Sequence, residues 1–195
     1  MKELNTNPDL NNFWYPPGGI LVWMLIFLEL ATFGMGIIAL IYCSKEDPAL
    51  FHTSRLSLNK TFGAINTALL LTSGYFMAST INELRRNNRA KASFYLQLTM
   101  LGGLLFMVLK GVEYSQKLNA GISINTNLFY TFYWMLTAFH GVHVAVGLVM
   151  LAVSWLRLRK KDAVIDMEHM EAGAAFWHMC DLIWLLLFPA LYLVL

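Results

Sequence analysis

Leu128 to Leu156 reads LFYTFYWMLTAFHGVHVAVGLVMLAVSWL, 29 residues without one aspartate, glutamate, lysine or arginine. As an α-helix such a stretch is about 43 Å long, and a bilayer core needs only about 20 apolar residues to cross it. Continuous apolar length without alternation argues for a helix rather than a strand of a membrane barrel. Four further segments repeat the pattern, from about Gly19 to Cys43, Thr61 to Ile81, Ala92 to Gln116, and Glu171 to Leu195. The composition agrees. Of 195 residues, 57% are hydrophobic and 13% charged, where a soluble domain carries about 25% charged residues, and the mean hydropathy is +0.54. The sequence therefore predicts an all-α integral membrane bundle of five transmembrane helices over residues 19–195, behind an extramembrane arm over residues 1–18. A secreted, cytosolic or nucleic-acid-binding protein is excluded, and a net charge of +2 is too small to imply a polyanionic partner.

The amino-terminal stretch MKELNTNPDLNNFWYPPGG, the arm with the first residue of the span, is polar and lacks the apolar stretch of a signal peptide. Trp14 and Tyr15, followed by Pro16 and Pro17, suit an interfacial anchor that hands the chain into the first span. Orientation follows the basic residues. Lys2, Arg85, Arg86, Arg89, Lys91, Arg157, Arg159, Lys160 and Lys161 fall on one side, and Lys45, Arg55, Lys60 and Lys117 on the other. Cytoplasmic loops retain lysine and arginine, so the amino terminus is expected in the cytoplasm and the carboxyl terminus in the periplasm. Cys43 and Cys180 make no disulfide framework and read as small hydrophobes. Gly34, Gly36, Gly63, Gly74, Gly102, Gly103, Gly141 and Gly147 are expected to let helices approach closely.

Ionisable side chains inside the spans need a reason, because a charge near the bilayer centre costs about 2.5 to 3.5 kcal/mol on insertion scales. The first span holds Glu29, the third Lys110 and Glu113, the fourth His140 and His143, and the fifth Glu171, His178 and Asp181. Helical rise puts Glu29 and Asp181 about 15 Å deep and His178 about 10 Å deep, with His140 and His143 in the same band. Lys110 and Glu113 stand apart toward the outer surface, where they can pair or snorkel. Glu171 opens the fifth span, where the helix dipole favours an acid. His140 with His143, and His178 with Asp181, are spaced i, i+3, so each pair can point into one interhelical seam. Three readings fit the four: a metal or haem site, a buried hydrogen-bond cluster locking the last two spans together, or a proton-linked or partner-facing role. Glu29 has no obvious local partner. An isolated carboxyl at mid-depth is expected to be protonated, or bonded to Asn66 or Thr67 of another helix, because desolvation penalises its charged form. There is no P-loop, no CxxC pair, no nucleophile elbow and no haem-attachment CxxCH.

The order of these motifs resembles subunit III of the haem-copper terminal oxidases. LIFLELATFG is similar to the family's segment with a membrane-embedded glutamate, matching at Glu29. INTALLLTSG from Ile65 resembles its Asn-Thr-x-x-Leu-Leu-x-Ser-Gly segment. KGVEYSQ carries its Glu-Tyr at Glu113 and Tyr114. The stretch from Phe139 to Gly147 matches its Phe-His-Gly-x-His-Val-x-x-Gly pattern. The fifth span matches at Glu171, Ala172, Trp177, His178, Asp181 and Trp184.

The resemblance implies an accessory subunit with no cofactor of its own, which packs against catalytic subunit I, and with it subunit II, where haem and copper reside. That complex reduces oxygen to water and translocates protons, and the accessory chain sustains its stability and proton uptake. The histidines are then not metal ligands, and the Glu29 position is the one carbodiimides attack. Longer members hold phospholipid in a cleft formed with two extra helices. Five spans match the short bacterial form, which implies a multi-pass protein of the bacterial inner membrane with membrane lipids, and phospholipid among them, as ligands. Two rival readings remain, an accessory subunit of a nitric oxide reductase and a small b-type cytochrome using His140 or His143 with His178.

Overall fold

Five of the helices begin at an aspartate or asparagine whose side chain accepts backbone N–H bonds that the first turn leaves open. In the computed structural model, which describes residues 18–160 and 166–194, these caps are Asp47, Asn59, Asn88, Asn127 and Asp166. The helices are α1 (Ile20–Glu46), α2 (Pro48–Leu56), α3 (Lys60–Arg85), α4 (Arg89–Asn119), α5 (Leu128–Arg159) and α6 (Met167–Pro189). All but α2 are long and apolar enough to span a membrane, and no strand occurs among the described residues. Trp14, Tyr15, Pro16, Pro17, Lys2, Lys161 and Leu195 lie outside the described residues.

Three features depart from the sequence reading. The connection after the first span contains α2, whose start combines the Asp47 cap (Oδ1 accepts from Leu50 N, 3.1 Å) with Pro48 in the first turn. The last span begins at Met167 rather than at Glu171, so Glu171 does not open the helix but lies in its second turn. It forms an ion pair with Arg85 at 2.9 Å. At the new first turn, partial burial would raise the Asp166 carboxyl, but hydrogen bonds from the His169 ring and from the His169 and Glu168 amides hold it below its ordinary value. The far end of α6 also changes geometry. Pro189 has no N–H to give Leu185, and its ring would press on that carbonyl. The chain widens into a π-helical turn over Ala190–Val194. Arg55 of α2 donates to the Leu193 carbonyl at 2.5 Å, capping this end.

α6 is the central element. Of its most apolar stretch 56% is buried, against 17% for α1, which lies at the edge on α5 and α6. Trp177 of α6 inserts between α4 and α5. A Cβ on Gly103 would stand 2.4 Å from its ring and one on Gly147 2.9 Å, so only glycine admits the indole at these two points. Its Nε1–H donates to Ser73 Oγ of α3 (3.1 Å), and that hydroxyl donates to the Thr99 carbonyl of α4 (2.8 Å). One side chain thus ties four helices together. Trp184, two turns on, donates to Thr67 Oγ1 at 3.0 Å. Gly34 and Gly141 do not serve close approach within the chain, since a Cβ on either would meet open space. The outer surface carries apolar side chains such as Leu21, Ile38, Val149 and Leu104, as lipid contact requires.

Replacing Gly103 by alanine forces the indole to move and is expected to destabilise the protein by about 1 to 3 kcal/mol. Gly111→Ala on the same helix meets nothing within 4 Å and is expected to be neutral. Thermal unfolding in mild detergent, read by tryptophan fluorescence, separates the two.

Candidate functional site

Glu29 finds its partner on α5. Its Oε2 stands 3.2 Å from Nε2 of His143, with the two side chains 14% and 12% exposed. It does not reach Asn66 or Thr67. Thr67 is engaged by Trp184, and Asn66 is buried with no hydrogen-bond partner among the described residues. The other ring nitrogen of His143 lies 2.8 Å from the Phe139 carbonyl one turn back. A carbonyl only accepts, so Nδ1 carries a proton and Nε2 faces the carboxyl. The pair is packed by aromatic rings, with Phe33 at 5.6 Å and Phe139 at 4.6 Å from the imidazole, both edge-on. Oε2 makes no hydrogen bond among the described residues, so its approach to Nε2 is one of distance and charge alone.

The other polar residues do not join this pair into one cluster. His140 is fully buried and points away from Glu29, stacked on Trp184 at 5.4 Å and edge-on to Phe106 at 5.6 Å. Neither of its nitrogens has a hydrogen-bond partner among the described residues, so aromatic packing rather than hydrogen bonding holds it. His178 and Asp181 turn toward α3, with Nδ1 and Oδ2 3.4 Å apart. A Cβ on Gly74 would lie 2.3 Å from that carboxylate oxygen, so α3 offers the pair a glycine notch. The expected seam between the last two spans is therefore divided: His143 serves α1, His140 the aromatic interior, and His178 with Asp181 serves α3. A bis-histidine haem does not fit. The His140 ring is enclosed by Phe33, Phe106 and Trp184, and His178 faces a different helix. Among the described residues no three of His, Cys, Asp and Glu group to hold a metal ion.

Lys110 and Glu113 pair, as their spacing allowed, and they do so inside the bundle rather than by snorkelling, at 5% and 2% exposure. Lys110 Nζ donates to Glu113 Oε2 (2.9 Å), Tyr192 OH (2.9 Å) and Tyr133 OH (3.4 Å), one acceptor for each of its three N–H groups. Tyr192 OH in turn donates to Glu113 Oε1 at 2.7 Å. The ammonium also lies 5.0 to 5.5 Å from the ring centres of Tyr114, Tyr133, Trp184 and Tyr192. Beside it Tyr114 OH donates to Thr137 Oγ1 at 2.7 Å. This closed network is structural in character, since every strong donor and acceptor of the ion pair is used. The sequence reading missed Tyr192, whose only signal is a tyrosine three residues after a proline near the end of an apolar run.

A family model described as Cytochrome c oxidase subunit III matches residues 59–194. That stretch includes Glu113, His140, His143, Glu171, His178 and Asp181 and leaves out α1 with Glu29. The chain is 35% identical over 130 residues to the cytochrome c oxidase subunit 3 of Mycosarcoma maydis, covering 66% of this chain and 46% of the relative. It is 34% identical over 131 residues to that of Rhipicephalus sanguineus (66% and 49%) and 36% identical over 129 residues to that of Gallus gallus (66% and 48%). The chain spans about half the length of the curated relatives it matches.

Glu113→Ala leaves the Lys110 ammonium buried without its counter-ion and is expected to destabilise the protein by about 3 to 5 kcal/mol. Lys110→Met combined with Glu113→Met removes both charges and is expected to recover most of that loss. Unfolding midpoints of the single and double variants in the same detergent test whether the pair acts as one unit.

Proposed function

The chain belongs to the cytochrome c oxidase subunit III family, and from that footing we propose that it is an accessory subunit, without a cofactor of its own, of a haem-copper oxidase that reduces oxygen to water and translocates protons. Haem and copper belong to catalytic subunit I and its companion subunit II, against which this chain packs. The names of the relatives favour an oxidase over a nitric oxide reductase. The helices mark a membrane protein, and the reading extends to a bacterial inner membrane as its location. Arg85, Arg86, Arg89 and Lys91 around the α3–α4 turn, with Arg157, Arg159 and Lys160 ending α5, support an amino terminus in the cytoplasm and a carboxyl terminus in the periplasm. Membrane lipid is the expected ligand. A groove of about 580 Å³ lined by Leu118, Ile124, Trp134, Met135, Phe139 and Val142 suits an acyl chain.

The observation that carries a proton-related role is the Glu29–His143 contact. A carboxyl and an imidazole nitrogen 3.2 Å apart are close enough to share one proton after a small turn of either side chain. Both forms of the pair, acid with neutral imidazole and carboxylate with imidazolium, leave the site with the same net charge. The site therefore holds a proton at mid-membrane without an uncompensated charge. Release of that proton to the catalytic subunit leaves a carboxylate beside a neutral imidazole, one net negative charge that the next proton taken up cancels.

Purification in mild detergent is expected to bring a haem-bearing polypeptide with this chain, while the chain separated from it shows no Soret band. Glu29→Gln keeps the shape of the side chain but holds no exchangeable acid proton. It is expected to shorten the turnover lifetime or lower the oxygen-consumption rate of the complex severalfold without loss of assembly. Unchanged rate, lifetime and assembly together remove the proposed role of Glu29.

A further inference from the structure

Arg55 lies in the last turn of α2, half-buried, and among the described residues no acid stands within ion-pair distance of it. Its two acceptors are neutral. Nη1 donates to the Leu193 carbonyl at 2.5 Å, and Nη2 lies 3.0 Å from Nδ1 of His52, one turn back on the same helix. Nε is buried with no partner among the described residues. The Leu193 carbonyl belongs to the last turn of the final helix, where the backbone runs out of amides, so Arg55 supplies the missing donor.

An arginine donates at every nitrogen and does not give up its proton, so the contact with His52 fixes the state of the imidazole. Nδ1 must present a lone pair, and the ring is neutral with its proton on Nε2. A second proton would go to Nδ1. It would turn the acceptor into a donor and set two positive groups 3.0 Å apart. His52 is exposed on a helix outside the spans, so a proton reaches it without entering the bundle.

α2 packs on α1, α5 and the π-helical turn. α1 ends in Lys45 and Glu46, Asp47 accepts from the Leu50 amide, α3 starts at Lys60, and α5 offers the Tyr130 hydroxyl, which is bonded to Ser57. Neither Glu46 nor Asp47 forms an ion pair with His52 or Arg55, so no contact offsets the added charge. The base of the contact is firm. Phe51 is buried edge-on to Phe129 at 5.7 Å, and Ser54 Oγ accepts from Asn127 Nδ2 at 2.9 Å. The turn that Arg55 holds carries Tyr192, which donates to Glu113 and accepts from Lys110.

We propose that His52 and Arg55 form a pH-sensitive clasp on the end of the last span. With the imidazole neutral, Arg55 stays on the Leu193 carbonyl and the π-helical turn is held. When His52 takes a proton, Arg55 loses one acceptor, is repelled from its seat, and the turn that brings Tyr192 to Glu113 loosens. The device needs only this chain and acts from whichever side of the membrane α2 faces.

Hydrogen–deuterium exchange of the full chain in mild detergent tests it, at about pH 8 and about pH 5, on either side of the range in which histidine changes charge. Each rate is divided by that of the unstructured chain at the same pH. The carboxyl-terminal peptide containing Leu191, Tyr192 and Leu193 is expected to exchange at least about threefold faster at the lower pH. His52→Gln, whose amide oxygen accepts from Arg55 but takes up no proton, is expected to exchange slowly at both. Arg55→Gln, which removes the clasp, is expected to exchange fast at both. Equal rates at the two pH values in the unsubstituted protein overturn the proposal. So does the same rise in His52→Gln, since another group then titrates. If His52→Gln does not fold, His52→Ala takes its place, and a pH-dependent rise in that chain is equally fatal.

Discussion

Trp177 decides how the helices sit. Its indole fills the space that two glycines leave on α4 and α5, and its N–H reaches the Ser73 hydroxyl of α3. Hydrophobic burial does not drive helices together inside lipid, because the tails are as apolar as the side chains. Close packing and interhelical hydrogen bonds do that instead. With Trp177 seated, one turn on Asp181 meets the notch at Gly74, two turns on Trp184 meets Thr67, and past Pro189 the widened last turn brings Tyr192 to Lys110 and Glu113. The central helix therefore carries nearly every polar contact that joins α6 to its neighbours.

The intramembrane polar groups divide by how completely they are satisfied. Lys110, Glu113 and Tyr192 form a closed set in which the ammonium has three acceptors and both carboxylate oxygens are engaged. Such a set stabilises one arrangement and has little left to offer a proton or a partner. Glu29 with His143, and His178 with Asp181, are different. Each is a single acid–imidazole contact with unused hydrogen-bonding capacity in a medium that supplies none. Function is expected where satisfaction is incomplete, and the two pairs lie on different faces of the bundle, one between α1 and α5 and the other beside α3.

The spans were legible because lipid imposes apolar length residue by residue. A charge-free run such as Leu128 to Leu156 has only one use, and Glu29 is anomalous wherever its helix packs. The pairing of Lys110 with Glu113 was legible as an option from i, i+3 spacing, but their burial was not, since spacing does not tell an inward face from an outward one. The histidines misled for the same reason. His140 and His143 share a helical face by count, yet that face straddles two seams, and rings three residues apart enter different neighbourhoods. α2 was passed over because nine residues are too few to show periodicity against a loop, although Asp47 and Pro48 mark its start.

By itself the sequence determined the solvent, the long apolar spans and the residues whose burial demands a reason, because each of these depends on local composition. Which groups meet was decided only by the tertiary structure. Glu29 and His143 are 114 positions apart, and Trp177 lies 74 and 30 positions from the two glycines that admit it. No local pattern encodes such distances. They follow from the close approach of helices at small residues, which exists only once the bundle has packed.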